Sequence, residues 1–445
     1  MIKQFTVENI YNFKNEVTLD FTLSKNDGLY HVYHKDKISN TSVMYGKNNV
    51  GKSNLFKGLE QAIDMILNNN LKLQPYYPDG SNENSVFEII LENEDYEIRY
   101  GFEILINQKI VKDEWMYSKV NGSTRESLIF GRADSKYSKY FNKNQLATFD
   151  NLVANKLIVN HCRSLKEQPD VIKSFLKMLH SFTFMSCINK DDTDLLPSIF
   201  SYHETPQIKQ IMTAFLETSD LDIVSIDTQQ LSESENFLFE ALKQITNSDL
   251  PEEKKREMNK KLTSENLDLF ANLLSKNLIV RQDGSNKEDT VFIQFTHKNG
   301  AKFTLEELSS GTRQILSIIL MTLSKIGTNS ILIFDEIETG LHIDLINLLM
   351  DLFEIMIEKS PELQIIITTH QANLLDYGYI PKENKAFMKK QEEGFIEIDY
   401  LSNYSLREYE KPSNRYNLDA FNTNPNTSSE YKLKTLLMQY GVSDK

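Results

Sequence analysis

The chain has 445 residues, of which 40% are hydrophobic and 25% charged, and its formal net charge is −14. A field of that sign disfavours a polyanionic partner, and no local basic patch is obvious in the sequence. The 2 cysteines, Cys162 and Cys187, form no Cys-x-x-Cys pair, which excludes a disulfide framework and a Cys-paired zinc site. The N-terminus has no apolar secretory core, and no apolar run reaches the ~20 residues of a membrane helix. These features favour a cytoplasmic protein.

Residues 1–141 predict a β-rich lobe built around one helix. Alternating apolar residues indicate strands at 2–10, 17–21 and 42–45, and a helix follows at 53–69. Further strands at 86–92, 96–106 and 110–120 end at an Asn-Gly turn, which is typical of an antiparallel subdomain.

Residues 142–275 change character and predict a helical insertion. Apolar residues fall at helical spacing in 171–182 and 236–245, and the charged stretch 251–262 interrupts the pattern. Sustained heptads are absent, so a long coiled coil is not expected.

Strand patterns return over 276–380 and then alternate with helices. Strands are predicted at 277–282, 290–297 and 301–305, followed by a buried helix, a strand at 330–334, a helix at 342–359 and a strand at 364–370. That alternation indicates a parallel sheet. Residues 381–445 read as a hairpin, a polar stretch at 422–429 and a short last helix.

The segment GKNNVGKS at 46–53 lies between a short apolar strand and a helix. Its spacing is that of a loop whose backbone N–H groups surround phosphates at a helix N-terminus. Lys52 is expected to reach the β- and γ-phosphates, and Ser53 to place its hydroxyl on Mg²⁺. The candidate nucleotide-binding residues here are Gly46, Lys47, Asn48, Asn49, Val50, Gly51, Lys52, Ser53 and Asn54.

A phosphate loop needs an acidic partner, and SILIFDEIETGLH at 330–342 supplies one. Asp335 and Glu336 follow four apolar residues, so both carboxylates are expected at the carboxyl end of a buried strand, where open α/β sheets bind ligands. Asp335 is the candidate Mg²⁺ ligand, and Glu336 the candidate group that orients or deprotonates the attacking water. An ordinary acidic turn is the alternative for this segment taken alone.

Two more elements occur in order: LEELSSGTRQIL at 305–316 and TTH at 368–370. The succession of GxxxxGKS, SSGTRQ, an apolar strand with Asp-Glu, and a histidine after the next strand resembles the ABC-type ATPase head, in the branch related to SMC, RecF and OLD proteins. SSGTRQ is similar to the LSGGQ signature, and His370 matches the switch histidine. The resemblance covers about residues 1–110 and 276–380. It implies an α/β fold, a P-loop ATPase head with a mixed β-lobe, a parallel core sheet and a helical insertion.

The resemblance also implies a mechanism. In such heads two ATP molecules lie between two protomers, and the phosphate loop of one faces the signature of the other. ATP then joins two heads, and hydrolysis to ADP and phosphate releases them. Carried over, the signature contacts would come from Ser309, Ser310, Gly311 and Gln314, with His370 sensing the γ-phosphate. An ordinary helix N-cap and a strand-end histidine are the alternatives when each motif is taken alone.

Several positions stay open. Gln74 and Gln108 are candidates for the Q-loop glutamine by position only. Glu338 and His342 either line a dimer interface or cap the helix at 342. Trp115 and Tyr117 are expected in the core rather than in a ligand site.

No second catalytic pattern follows His370, so we expect the effector to be a separate polypeptide. The Tyr-rich β-lobe resembles stand-alone ATPase subunits of bacterial antiphage systems of the abortive-infection, PARIS, Septu and RloA kinds. This favours an oligomerising ATPase that uses ATP and Mg²⁺ and controls a toxin or nuclease in response to phage. The alternative is a DNA-repair or chromosome-maintenance ATPase similar to RecF or SMC; a scaffold with a degenerate site is disfavoured by intact Lys52, Ser53, Asp335 and Glu336.

Overall fold

The computed structural model describes residues 1–23, 38–76, 83–150, 152–186, 206–219, 221–230, 278–282, 288–305, 307–391, 394–407 and 410–423, with the isolated positions 241, 254 and 256. The chain divides into two compact units. The first comprises Met1–Asn189, Lys325–Glu338 and Met350–Lys445, and the second comprises Lys190–Ser324 and Thr339–Leu349.

An antiparallel sheet forms one layer of the first unit. Its strands are β1 (Ile2–Glu8), β2 (Val17–Asp20), β4 (Ser85–Glu92), β5 (Tyr96–Leu105), β6 (Ile110–Val120), β7 (Ser127–Gly131) and β8 (Lys136–Tyr137). They run in the order β2-β1-β4-β5-β6-β7-β8. Burial alternates along β4 and β6, so each strand packs one face on the core and gives the other to solvent, as antiparallel sheets do.

The second sheet of this unit carries the parallel core. It contains β3 (Thr41–Gly46), β9 (Phe182–Ser186), β14 (Ile331–Asp335), β15 (Gln364–Thr368), β16 (Lys385–Lys390) and β17 (Ile396–Tyr400), in the order β17-β16-β3-β15-β14-β9. Every pair is parallel except β16 with β17. All residues of β3, β14 and β15 are buried, which explains the apolar runs VMY, ILIF and III within them.

Four helices of the first unit pack on these sheets: α1 (Lys52–Asn68), α2 (Lys143–Asp150), α3 (Ile158–Cys162) and α4 (Asp170–Leu179). Helix α1 buries Leu55, Leu59, Ala62 and Ile66, which recur at helical spacing on one face. The short C-terminal helix α8 (Pro412–Asn417) follows β17. Helices α1 to α4 share one hydrophobic core with the antiparallel sheet.

The second unit contains helix α5 (Pro206–Thr218), strands β10 (Ile223–Gln230), β11 (Leu278–Gln282), β12 (Glu288–His297) and β13 (Lys302–Phe303), and helix α6 (Ser310–Leu323). Its strands pair in the order β10-β12-β11, with β13 on β12. Helix α7 (Ile343–Lys359) begins in this unit and continues into the first.

The α/β architecture predicted from the sequence is confirmed, with an antiparallel β-lobe and a core sheet that is parallel except for β16 with β17. The prediction of helix across 142–275 is wrong at β9 and β10. Helix α4 ends at Leu179, and the next residues extend as β9 because the apolar FTF run pairs in parallel with β14. The helical patterns at 236–245 and 251–262 and the last helix lie outside the described residues, apart from positions 241, 254 and 256. The segment boundaries at 141, 275 and 380 stay a prediction.

Trp115 and Tyr117 lie on the half-buried face of strand β6, opposite the buried Met116, so the prediction that they belong to the core is wrong. The Trp115 indole packs directly over Gly101, and its Nε1 donates to Glu88 Oε2 at 2.7 Å. The Arg99 guanidinium lies 4.3 Å from the centre of the Tyr117 ring. Within the described residues, no helix is both long and apolar enough to cross a membrane.

Candidate nucleotide-binding site

The phosphate loop connects buried strand β3 to helix α1. Gly46 ends the strand where a Cβ would lie 2.8 Å from the Met388 carbonyl oxygen, so the backbone approach requires glycine. Gly51 precedes α1 with φ of 112°, a conformation that glycine adopts without strain. The Val50 N–H donates to the Lys47 carbonyl at 3.2 Å, which closes the loop on itself. The sequence motif therefore has the strand–loop–helix setting that phosphate binding requires.

The loop borders a cavity of about 370 Å³. Two residues from elsewhere in the first unit, Glu336 and His370, reach the same cavity. The structure thus brings together most of the residues predicted from the loop, the acidic strand and the TTH segment. The full lining is Lys47, Asn48, Asn49, Gly51, Lys52, Ser53, Asn54, Glu336 and His370.

Lys52 is 5% exposed, and its ammonium group makes two contacts. Its Nζ donates to the Gly46 carbonyl at 2.8 Å and lies 3.1 Å from His370 Nε2. An ammonium group can only donate, so Nε2 accepts and His370 is neutral with its proton on Nδ1. Burial lowers the pKa of His370, and the neighbouring Lys52 charge lowers it further. Burial also lowers the pKa of Lys52, although Glu336, Glu338 and Asp335 oppose that shift.

The acidic pair ends strand β14 as predicted. Asp335 is 8% exposed, and its Oδ1 accepts a hydrogen bond from Thr368 Oγ1 at 2.6 Å. Glu336 follows with φ of 54°, an uncommon backbone conformation for a residue with a side chain. Burial raises the pKa of the Glu336 carboxyl, and the charges of Asp335 and Glu338 add to that effect. A raised pKa brings a carboxylate closer to the range in which it accepts a proton efficiently.

The donor set near this cavity suits a hard cation. Ser53 supplies a hydroxyl on the cavity wall, and Asp335 supplies a carboxylate at the end of β14, though Asp335 does not itself line the cavity. Among the described residues, no group of three or more His, Cys, Asp and Glu side chains could hold a metal ion. Mg²⁺ needs no such cage, because it is bound through one or two protein oxygens together with waters and substrate phosphates.

The signature residues belong to the second unit. Ser309 is the N-cap of helix α6, and its Oγ accepts the Thr312 N–H at 3.1 Å. Ser309 and Ser310 are exposed, whereas Gln314 is buried. Gly311 packs against Gly340, since a Cβ at Gly311 would lie 2.4 Å from the Gly340 carbonyl oxygen. Ser309, Gly311 and Gly340 all belong to the second unit.

The structure assigns contacts to some of the positions whose roles the sequence left open. His342 precedes α7, and its Nδ1 accepts the Asp344 N–H at 3.3 Å, so it caps that helix. Glu338 does not cap the helix; its Oε1 accepts the His370 N–H at 2.5 Å. Gln74 and Gln108 are exposed and do not line the cavity, so neither is assigned as the Q-loop glutamine.

Two residues with direct roles in the site geometry were not found from the sequence. Asn12, which follows β1, donates from Nδ2 to the Val50 carbonyl at 2.8 Å and accepts from Asn54 Nδ2 at 2.9 Å. Thr368 contacts both acidic residues, because its Oγ1 donates to Asp335 and accepts the Glu336 N–H at 2.7 Å. The TTH segment offered a signal for Thr368, but the contacts of Asn12 depend on chain segments that meet only in the folded protein.

The fold and the site define a P-loop ATPase of the mixed α/β kind. The chain belongs to the AAA_21 family, described as "AAA domain, putative AbiEii toxin, Type IV TA system", which matches residues 42–376, about three quarters of its length. The ATPase head predicted from the sequence is thereby confirmed. No curated protein matches the chain.

Solved structures similar to this chain include three SMC heads. The SMC head domain from Thermotoga maritima has 12% identity and a TM-score of 0.34, covering 90% of this chain and 98% of the other. An SMC head bound to the C-terminal winged-helix domain of ScpA has 11% identity and a TM-score of 0.40, covering 90% and 97%. The Pyrococcus furiosus Smc head with an extended coiled coil, bound to the C-terminal domain of ScpA, has 10% identity and a TM-score of 0.35, covering 90% and 96%.

Proposed function

We propose that this chain binds and hydrolyses ATP as the ATPase subunit of a bacterial antiphage defence complex. In this proposal two or more copies close around ATP and thereby control a separate toxin or nuclease. The observation that carries the proposal is the meeting of Lys52, Ser53, Glu336 and His370 around one cavity, beside Asp335.

Each residue has a chemical task in the proposed reaction. Lys52 and the N–H groups of the phosphate loop bind the β- and γ-phosphates. Ser53 and Asp335 hold Mg²⁺, which neutralises phosphate charge when it is bound. The attacking water forms a bond to the γ-phosphorus as the bond to the β–γ bridging oxygen breaks. The water proton passes to the Glu336 carboxylate, and the products are ADP and phosphate.

His370 connects nucleotide binding to the neighbouring strand. Its Nε2 accepts from the Lys52 ammonium at 3.1 Å in the structure. Lys52 has three protons to donate, and Gly46 and His370 take two of them, so contacts to both the β- and the γ-phosphate require the bond to His370 to open. Binding of ATP then frees Nε2, which gains a proton from solvent and can donate it in a hydrogen bond to the γ-phosphate, so that His370 acts as a sensor.

The assembly that we propose uses the signature of a second copy. Ser309 and Ser310 are exposed at the N-terminus of α6, a position that suits contact with a phosphate held by another protomer. The family description names a "putative AbiEii toxin, Type IV TA system", which favours a role in a toxin system over chromosome maintenance. We place the complex in the cytoplasm, in keeping with the buried free thiol of Cys162.

The first test is ATP hydrolysis by the purified chain, with the Lys52→Ala variant as the negative control. We expect Mg²⁺-dependent phosphate release by the wild type and loss of both nucleotide binding and turnover in the variant. Nucleotide binding without turnover in the wild type would leave a binding scaffold in place of an ATPase.

The second test is a pull-down of tagged Glu336→Gln from its native host in ATP, read by mass spectrometry and native mass. A stoichiometric second protein, above all the product of an adjacent gene, supports control of an effector and identifies it. Recovery of the chain as a bare dimer carrying DNA would favour the repair-type ATPase. A host deletion that leaves infection by several phages unchanged would count against defence.

A further inference from the structure

We propose that Thr368 and Glu338 are positioning residues that join the ends of strands β14 and β15 and hold Glu336 and His370 in place. This inference rests on the proposed ATPase function and deepens it. Thr368 lies on β15 and binds Asp335, the last residue of β14, and Glu336, which follows it. Glu338 lies after β14 and binds His370, which follows β15. We call these reciprocal contacts the strand-end clasp.

The Thr368 hydroxyl makes two hydrogen bonds, one as donor and one as acceptor. Thr368 is 0% exposed; Oγ1 donates its single proton to Asp335 Oδ1 at 2.6 Å and accepts the Glu336 N–H at 2.7 Å. The Thr368 carbonyl also accepts the Ile337 N–H at 3.3 Å. One residue therefore fixes three successive positions at the end of β14.

Glu336 needs such support. Its φ of 54° lies in the left-handed region, where a residue with a side chain is strained. Conformations of this kind persist where the surrounding structure imposes them. The bond from its N–H to Thr368 imposes this one, and it directs the Glu336 carboxylate to the cavity that Lys52 and His370 also line.

Glu338 provides the second half of the clasp. Its Oε1 accepts the His370 N–H at 2.5 Å, while its Oε2 is buried and has no hydrogen-bond partner within the described part of the chain. Leaving a carboxylate oxygen unpaired away from water costs free energy. A contribution to folding stability therefore does not explain why a glutamate occupies position 338. A role in holding His370 beside Lys52 does explain it.

The clasp predicts a specific kinetic pattern. The phosphate loop, Gly46 to Asn54, takes no part in these bonds, so its own contacts with the nucleotide stay in place when they are lost. The position of Glu336 depends on them directly, and a displacement of about 1 Å at a reacting group costs on the order of 100-fold in rate. Loss of the clasp should therefore lower kcat far more than it changes KM.

The test compares Thr368→Val with Thr368→Ser and with Thr322→Val. Valine matches threonine in shape and removes the hydroxyl, whereas serine keeps it. Thr322 is also 0% exposed, and its hydroxyl donates to the Ile318 carbonyl of its own helix, so Thr322→Val controls for loss of a buried hydroxyl. We expect about a 100-fold loss of kcat with KM within about threefold in Thr368→Val, and turnover near wild type in Thr368→Ser and Thr322→Val.

Glu338→Gln and Glu338→Leu test the other half. The glutamine amide oxygen can still accept the His370 N–H, whereas leucine cannot, so the leucine variant should lose more turnover. Amide hydrogen exchange supplies a readout independent of catalysis. The Glu336 amide should exchange faster in Thr368→Val, and the His370 amide faster in Glu338→Leu, with no such change in Thr322→Val.

The outcomes separate this inference from the proposed function. Wild-type kcat in Thr368→Val, or an equal loss of turnover in Thr368→Val and Thr368→Ser, would overturn the positioning role. If the wild type binds ATP without hydrolysing it, the proposed ATPase function is refuted. The strand-end clasp is then tested by amide hydrogen exchange alone. In that case faster exchange at the two named amides supports the clasp, and unchanged exchange overturns it.

Discussion

Asn12 should control nucleotide affinity because it holds the phosphate loop, although it does not itself line the cavity. It holds the phosphate loop at two points: a bond to the Val50 carbonyl at 2.8 Å and a bond from Asn54 Nδ2 at 2.9 Å. It also packs on Gly51, where a Cβ would lie 2.2 Å from its Nδ2. Replacement by alanine removes both hydrogen bonds and this packing.

The magnitude follows from the two bonds. A hydrogen bond contributes about 1 kcal/mol net, so Asn12→Ala loses about 2 kcal/mol of loop organisation. Since about 1.4 kcal/mol corresponds to tenfold in affinity, the dissociation constant for nucleotide should rise about 30-fold if binding must restore the loop. Titration calorimetry with MgADP measures this without interference from hydrolysis.

Asn121→Ala is the matched control. Asn121 Nδ2 also donates to two backbone carbonyls, those of Asn93 and Glu94 at 2.5 and 3.0 Å, but it lies in the turn after β6. The control should lose similar stability and keep its affinity for MgADP. If Asn12→Ala binds MgADP within about twofold of the wild type, the loop does not depend on Asn12 and the reasoning fails.

Three further predictions test other parts of the molecule. Glu336→Gln should bind ATP, lose at least about 100-fold in turnover and accumulate as a closed dimer by native mass, because a proton acceptor supplies 10²–10⁴-fold; turnover at the wild-type rate would show that Glu336 is not the base. Ser310→Arg should bind ATP as the wild type does but fail to dimerise when combined with Glu336→Gln, because the added side chain obstructs the helix N-terminus; a dimer of unchanged stability would exclude the proposed contact in trans. Glu114 is 0% exposed and accepts the N–H groups of Ile158 and Val159, and burial raises the pKa of its carboxyl to about 7 from 4.5. Because this acid binds its proton more tightly when folded, its contribution to stability is present below about pH 4.5 and is lost as the pH rises through about 7, a loss of about 3 kcal/mol. Denaturant unfolding at pH 5 and pH 8 should therefore show a smaller decline for Glu114→Gln than for the wild type, and equal declines would refute the shift.

The segment that contains helix α4 and strand β9 shows what apolar spacing does not predict. Apolar spacing indicated helix between 171 and 182, yet the chain leaves the helix at Leu179 and forms β9. Periodicity reports which face of a segment is buried, and FTFMS is compatible with a buried face in either form. Pairing with β14, which lies some 150 residues later in the chain, decides the outcome, and no local pattern contains that partner.

The sequence by itself determined the parts of this protein whose chemistry is local. A phosphate loop is recognisable because its glycines, lysine and serine are neighbours in the chain, and buried parallel strands are recognisable because both faces must be apolar. For the same reason Asp335 and Glu336 could be placed at a strand end before the fold was known.

Only the tertiary structure decided how those parts meet. The contact of Lys52 with His370, the support of the loop by Asn12 and the strand-end clasp of Thr368 and Glu338 each join residues that are far apart in the chain. Hydrogen bonds depend on distances of about 3 Å and on direction, and these are set by the packing of whole strands and helices. The sequence therefore names the chemical groups, and the fold sets the geometry in which they act.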